Sequence, residues 1–262
     1  MDSLKRDGLY VFDRPLPSSL VDEMVEFAKT NPARLYPTPA DGQTFAVFDP
    51  SNPLAGGYRF DEQPLLQQSC FQKLMGDPLL QAVTQAYLGV ESKLAYISLW
   101  WSAVFERNPT SHMAQLYHVD LSHMKWLIMF VYLTDVSDST GHHTFVRGSH
   151  QNDQEGLELR SRGLVRVCDE DIERVYRKDN IKDLVGPRGT VFIADTRAFH
   201  KGNMPRTGHR LMFQLYHVNS LFPDNLEKSR ERTIHVADPT LEETIKLHPG
   251  KFDGYSVVSE KV

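Results

Sequence analysis

Residues 115–136 read QLYHVDLSHMKWLIMFVYLTDV. Their second half is a run of apolar, aromatic and β-branched residues closed by the turn-forming SDSTG, the pattern of a buried strand. At its head sits the polar triplet His118-Val119-Asp120. Residues i and i+2 of a strand point to one face, so the His118 imidazole and the Asp120 carboxylate converge on one point.

The same style recurs on both sides. KLAYISLWWSAVFER, SHMAQLYHVDL, HTFVRGSH, GTVFIADT and HRLMFQLYHVNS are short runs separated by turn signals such as NPTS and SDSTG. Many short strands with this punctuation indicate a sandwich or a double-sheet jelly roll. The first third reads as mostly helical. SSLVDEMVEFAKT offers Ser19 as N-cap with Asp22 three residues on, and Leu20, Val21, Met24, Val25 and Phe27 form one apolar face. DPLLQAVTQAYLG carries Asp77 as N-cap, Pro78 in the first turn and Gly89 as the stop. Between them, residues 34–60 are rich in Pro and Gly and read as loop with short strands. Residues 151–184 are charged, include the short helix DEDIERVYRK, and read as a surface excursion between two strands. The tail beyond Phe222 is polar and carries no strong pattern. The expected organisation is therefore one domain over 1–262: a helical flank at 1–92, a jelly-roll core at 93–222 and a tail at 223–262.

Composition narrows the function. Of 262 residues 40% are apolar, enough for a sizeable core, and the formal net charge is −5. No basic stripe interrupts it, which disfavours nucleic acid as a partner. Cys70 and Cys168 lie far apart with no C-x-x-C, so free thiols in a reducing compartment are expected. The N-terminus MDSLKRDGLYVF lacks a signal-peptide core and no run approaches a membrane span, so a cytoplasmic location is expected.

Two His and one carboxylate form the facial triad of non-haem Fe(II), leaving three octahedral positions for a co-substrate and dioxygen. His118 and Asp120 supply two ligands. His200, after the apolar strand of VFIADTRAFHKGN and before a Gly-containing turn, is the leading third. Arg210 opens the next strand, and a guanidinium suits a dicarboxylate co-substrate because it pairs with carboxylate through two parallel hydrogen bonds. Alternation then puts Met212, Gln214 and Tyr216 on its face. Each piece has a plainer alternative: a buried His satisfied by Asp120, a surface His200, a salt-bridged Arg210. The ordered set carries the iron reading.

Other residues are weighed against that set. His142 and His143, next to Gly141, read as exposed rather than ligating. His123 has the wrong strand parity, His150 suits local bonding, and His209 faces away from Arg210. His112, His217, His235 and His248 have no evident partner. One of Trp100 and Trp101 faces inward and can wall a site or simply pack. Gln115 and Tyr117 have opposite parity to His118, and Lys125 reads as solvated. Arg160, Arg162, Arg166, Arg174 and Arg177 can cover an anionic substrate, although a solvated surface is the simpler reading. Residues 36–59 and 151–184 are lid candidates.

The chain resembles the phytanoyl-CoA dioxygenase family of Fe(II)/2-oxoglutarate-dependent oxygenases. The matching text is YHVD, FVYLTDVSDSTGHHTFVRGSH and GPRGTVFIADTRAFHKGNMPRTGHRLMFQLY, within roughly residues 77–220. Arg147 stands before Gly148 where the family often has Pro. The resemblance implies a double-stranded β-helix (a cupin-like jelly roll, mainly β with flanking helices). It implies His118, Asp120 and His200 as iron ligands and Arg210 on the distal carboxylate of 2-oxoglutarate. It also implies a dioxygenase acting on a small organic molecule, and because Asp120 is retained, hydroxylation rather than halogenation. Candidate substrates are a secondary-metabolite intermediate, a sugar-type molecule or an acyl thioester, the last mildly disfavoured by charge. Two other classes stay open: a jelly roll binding metal and small molecule without turnover, and a cupin-type dioxygenase that does not use 2-oxoglutarate.

Overall fold

The computed structural model describes residues 1–40, 42–105, 114–121, 124–151, 154–161, 166–219 and 232–259. His112, His123, Arg162 and the NPTS turn lie outside the described residues. The N-terminal part runs α1 (Asp2–Asp7), β1 (Leu9–Val11), α2 (Ser18–Thr30), β2 (Ala33–Tyr36), β3 (Phe45–Ala46), β4 (Gly57–Arg59), α3 (Glu62–Leu66), α4 (Ser69–Met75) and α5 (Pro78–Leu88). The central part runs β5 (Lys93–Ala103), β6 (Trp126–Tyr132), β7 (His143–Val146), α6 (Gln154–Ser161), α7 (Asp169–Val175), β8 (Ile181–Leu184), β9 (Val191–Ala194), β10 (His200–Gly202) and β11 (His209–Val218). β12 (Thr233–His235), α8 (Pro239–Leu247) and β13 (Ser256–Val258) follow.

The strands form a double-stranded β-helix, as the sequence led one to expect. The large sheet has the order β1-β9-β6-β11-β5-β4-β2-β3 and the small one β10-β7-β8. Period-two alternation divides the side chains between two cores. From β11, Leu211, Phe213 and Leu215 join β5's Leu99 and Trp101 and β6's Leu127, Met129 and Val131 against helices α2, α4 and α5. Met212, Tyr216 and Val218 face the other way, meeting Trp126, Ile128, Phe130 and Tyr132 between the sheets. A third cluster lies behind the small sheet, where Val146, Phe199 and Tyr117 pack with Leu159 and Ile172 from α6 and α7.

Local signals explain the flanking helices. Asp77 accepts from the Leu80 amide at 2.9 Å, Pro78 occupies the first turn, and Gly89 closes α5 at φ 79°. The Ser19 cap does not form: α2 begins at Ser18 after Pro17, with no side-chain cap bond. Asp22 instead pairs with Arg188 at 2.5 Å. The short strands expected among residues 34–60 form between the helices: β2, β3 and β4 extend the large sheet beyond β5.

The segment beyond Phe222 is also structured where described. Ile234, Leu241, Phe252 and Tyr255 enter the helix-side core. Asp238 caps α8 with Pro239 in its first turn, the same Asp-Pro signal as in α5. The buried Gln72 amide ties this segment down: its Nε2 donates to the His235 carbonyl and its Oε1 accepts from the Ala237 and Asp238 amides. Both cysteines are free. Among the described residues no helix is long and apolar enough to cross a membrane.

One core residue is costly. His217 is 1% exposed, and neither ring nitrogen has a hydrogen-bond partner among the described residues. Burial, with nearby Lys251 adding repulsion, pushes its pKa down to about 3. Its folded pKa lies below the unfolded value of about 6.5, so the unfolded chain binds the extra proton and stability falls as pH drops through that window. His217→Leu, similar in size and without orphaned nitrogens, is expected to stabilise by about 1–2 kcal/mol at pH 7. The gain should widen at pH 5. Urea denaturation at both pH values checks it: destabilisation, or the same difference at both, contradicts this reading.

Candidate metal and co-substrate site

Three segments meet at one end of the space between the sheets. Residues 116–121 do not form the regular strand expected from the sequence. They are held by isolated antiparallel bridges, Tyr117 to Val167 and His118 to His200. The His118 and His200 backbones exchange both N–H···O bonds, each 3.0 Å, and the Asp120 amide donates to the Thr196 carbonyl at 2.9 Å. The extended backbone is thus kept, and with it the shared face of His118 and Asp120. His200 opens β10 and pairs with Phe145, so Gly202 lies within a strand rather than in the turn expected there.

His118, Asp120 and His200 come together, each offering one ligand atom within 4.8 Å of the others. His118 Nε2 lies 4.0 Å from one Asp120 carboxylate oxygen, and His200 Nε2 lies 3.9 Å from the other. Ligands about 2.1 Å from an octahedral ion sit about 3 Å apart at adjacent positions, so a closure of about 1–2 Å brings the set to bonding distance. The tautomers are settled by backbone. His118 Nδ1 lies 2.9 Å from the Leu116 carbonyl and His200 Nδ1 2.9 Å from that of Ala198. A carbonyl only accepts, so each Nδ1 carries the proton and each Nε2 presents its lone pair toward the carboxylate. Burial drives the His118 pKa down to about 2, with His200 and Arg166 adding to the fall, so that ring is neutral at physiological pH. The donor set, two imidazole Nε2 atoms and a carboxylate, fits a first-row divalent ion such as Fe(II).

These residues line a cavity of about 520 Å³ that also contains Arg210, Gln214 and Tyr216. Met212, on the same face, is fully buried beneath it. Trp100 is the inward tryptophan. Trp101 faces the helices, stacked on Phe48 at 4.6 Å with its indole N–H on the Ala28 carbonyl.

Arg210 is 4% exposed. Its Nη1 donates to the Gly141 carbonyl and, at 3.4 Å, to His143 Nδ1, and its Nη2 donates to Ser102 Oγ at 3.1 Å. Its Nε has no partner, and among the described residues no carboxylate pairs with it. Burial lowers its pKa to about 10, so it remains a cation at pH 7. A desolvated guanidinium with donors left over costs free energy unless an anion joins it, which fits a ligand carboxylate.

His142 and His143 are not exposed as expected; they are 8% and 9% accessible. His143 pairs with Gly202 across the small sheet, and its ring lies 5.4 Å from Phe130 and 5.9 Å from Phe192. Burial, with Arg210 next, holds its pKa well below the ordinary value, so it accepts from Arg210 as a neutral ring. His142 Nε2 sits 3.2 Å from Asp183.

The remaining candidates fall elsewhere. Lys125 caps the Tyr87 carbonyl and lies over its ring, and Gln115 lines a separate surface cleft. Tyr117 is buried behind the small sheet under Lys201, and His209 packs on Phe48 and Trp101. His150 bonds the Lys5 carbonyl. Arg160 bonds backbone carbonyls, and Arg174 and Arg177 make exposed ion pairs. Of the described residues in 151–184 none lines the cavity, whereas Tyr36, Gly57, Tyr58 and Arg59 form part of its wall.

No family model matches the chain, and no curated protein matches it in sequence. Solved structures do resemble it. The non-heme alpha-ketoglutarate-dependent epimerase SnoN from nogalamycin biosynthesis is 16% identical with a TM-score of 0.59, over 86% of this chain and 85% of that one. HygX from Streptomyces hygroscopicus, with nickel and 2-oxoglutarate bound, is 17% identical with a TM-score of 0.57, over 84% and 86%. EctD from S. alaskensis is 19% identical with a TM-score of 0.56, over 87% and 80%. This chain shares their fold.

The carbonyl that receives Arg210 belongs to Gly141, at φ 86°. A Cβ there would lie 2.8 Å from the Asn203 carbonyl and 2.8 Å from Pro205 Cγ. Gly141→Ala is expected to cost about 1–3 kcal/mol in urea denaturation. A change within about 0.5 kcal/mol would show that this turn is not pinned.

Proposed function

We propose that this protein is an Fe(II)- and 2-oxoglutarate-dependent dioxygenase that hydroxylates an unactivated C–H bond of a small organic molecule. The observation that carries the reading is the meeting, in one cavity, of a His-Asp-His donor set with a buried arginine that has no carboxylate partner among the described residues. Its likeness to solved 2-oxoglutarate-dependent enzymes supports it.

In this reading His118, Asp120 and His200 hold the iron through Nε2, a carboxylate oxygen and Nε2, and leave the remaining positions to co-substrate and dioxygen. When bound, iron and 2-oxoglutarate would supply the oxidising power: one atom of dioxygen would end in succinate, released with carbon dioxide, and the other in the hydroxyl that replaces the substrate hydrogen. Arg210 grips the distal carboxylate of 2-oxoglutarate. Gly141, Ser102 and His143 hold the guanidinium in place, so little ordering is left to be done on binding. The Leu116 and Ala198 carbonyls keep both imidazoles in the tautomer a metal needs. Tyr96, Trp100 and Tyr216 give the substrate an aromatic wall and exclude water from that side. Hydrogen-atom removal requires no general base from the protein, and none is assigned. The 1–262 chain acts as one oxygenase domain.

Equilibrium dialysis and product analysis test the reading. The wild type should bind one Fe(II), and His118→Ala, Asp120→Ala and His200→Ala should each lose stoichiometric binding. Arg210→Ala should keep the iron yet need about a hundredfold more 2-oxoglutarate for succinate release. Product should gain one oxygen atom. Iron retained in Asp120→Ala would remove that residue from the ligand set. Unchanged 2-oxoglutarate dependence in Arg210→Ala would favour an enzyme that uses another co-substrate.

A further inference from the structure

The cavity lining carries an excess of positive charge, with Arg34 and Arg59 solvent-exposed, in a protein whose formal net charge is −5. Among the described residues lining it, Arg34, Arg59 and Arg210 are the cationic side chains with ordinary pKa above neutrality, and Asp120 is the carboxylate. A divalent iron adds two positive charges and 2-oxoglutarate returns two negative ones. Two units of positive charge stay unmatched when both are in place, so Arg210 and the metal do not explain the other two arginines.

Strand register explains how they come together. β2 and β4 pair so that Arg34 lies directly opposite Arg59, and β4 and β5 pair so that Arg59 lies opposite Trp100. Leu35 and the Tyr58 ring pack into the helix-side core, so alternation turns Arg34 and Arg59 to the other face, toward the cavity. Like charges directly opposite in an antiparallel pair disfavour it; both arginines are solvent-exposed, so water screens part of the repulsion and an incoming anion can reach both. Arg34 has a partial answer: an exposed contact with Asp61 at 3.6 Å, and Phe45 beneath its guanidinium at 4.5 Å. Arg59 forms no ion pair among the described residues. Beside the pair stands an aromatic surface, Trp100 with the stacked Tyr96 and Tyr216, whose ring centroids are 4.7 Å apart.

We infer that Arg34 and Arg59 form an oxyanion subsite for the substrate, which is therefore a small molecule carrying a carboxylate or phosphate on an apolar or aromatic body. The oxyanion bridges the two guanidiniums, each suited to paired hydrogen bonds with it, and the body lies along Trp100 toward Tyr96 and Tyr216. The substrate assignment rests on the oxygenase reading above. The subsite itself does not, because binding can be read without turnover.

The test is titration calorimetry on the full protein under anaerobic Fe(II) and saturating 2-oxoglutarate, which keeps Arg210 occupied. The probes are phenyl phosphate, phenylacetate, 2-phenylethanol and phenethylamine. The two anions should bind at least about tenfold more tightly than the alcohol, and the amine more weakly still. Whichever anion binds more tightly names the group. Arg59→Gln, and Arg34→Gln with Arg59→Gln, should lower anion affinity by about tenfold or more while leaving the Fe(II)–2-oxoglutarate charge-transfer absorption unchanged. The inference is overturned if the alcohol or amine binds as tightly as the anions, if the double variant keeps its anion affinity, or if no probe binds at millimolar concentration. Arginine-dependent anion binding in a protein that shows no charge-transfer band would keep the subsite and remove the oxygenase reading.

Discussion

The site depends on one backbone contact, the bridge in which His118 and His200 exchange both of their N–H···O bonds. These residues are 82 positions apart in sequence, by the numbering, and neither sits in a long strand. The exchange fixes their Cα positions directly opposite each other and brings the imidazole centroids to 4.3 Å. Asp120, two residues along, is then aimed at the same point, and its own amide is tied to Thr196. Two imidazoles whose Nδ1 protons are taken by backbone carbonyls, and a carboxylate about 4 Å away, make no hydrogen bond to one another. Their convergence suits a cation that all three can share, which is the proposed role of the set.

The rest of the fold keeps that bridge dry and in register. The β11 strand is the central beam of the large sheet, paired with β5 on one side and β6 on the other. Leu211, Phe213 and Leu215 anchor the helices while Arg210, Gln214 and Tyr216 line the cavity, so helix packing and cavity wall are carried on opposite faces of one strand. Arg210 is the first cavity-facing residue of that strand. It is buried among a carbonyl, a hydroxyl and a neutral histidine, partners that orient a guanidinium without cancelling its charge.

What sequence reasoning could see follows from how local each cause was. The alternation of β11, the H-x-D spacing and the Asp-Pro start of α5 are local, and each appears in the structure as the pattern implied. The burial of His143 was not legible, because it comes from pairing with Gly202 and from aromatic neighbours far along the chain. Residues 34–59 were legible as short strands near the site, but not as a fixed extension of the large sheet. Their strands are two to four residues long and lie among prolines and glycines, yet pairing with β5 turns them into cavity wall. The segment beyond Phe222 did carry a signal, Asp238-Pro239, but its cohesion comes from Gln72, a polar side chain on a distant helix.

The most direct test of the central claim is anaerobic visible absorption of the metal-free protein on adding Fe(II) and then 2-oxoglutarate. The account predicts a metal-to-ligand charge-transfer band that appears only with both and saturates at one equivalent of iron. Bound iron with no band on adding 2-oxoglutarate would contradict the co-substrate assignment, and failure to bind iron at all would contradict the His118–Asp120–His200 centre itself.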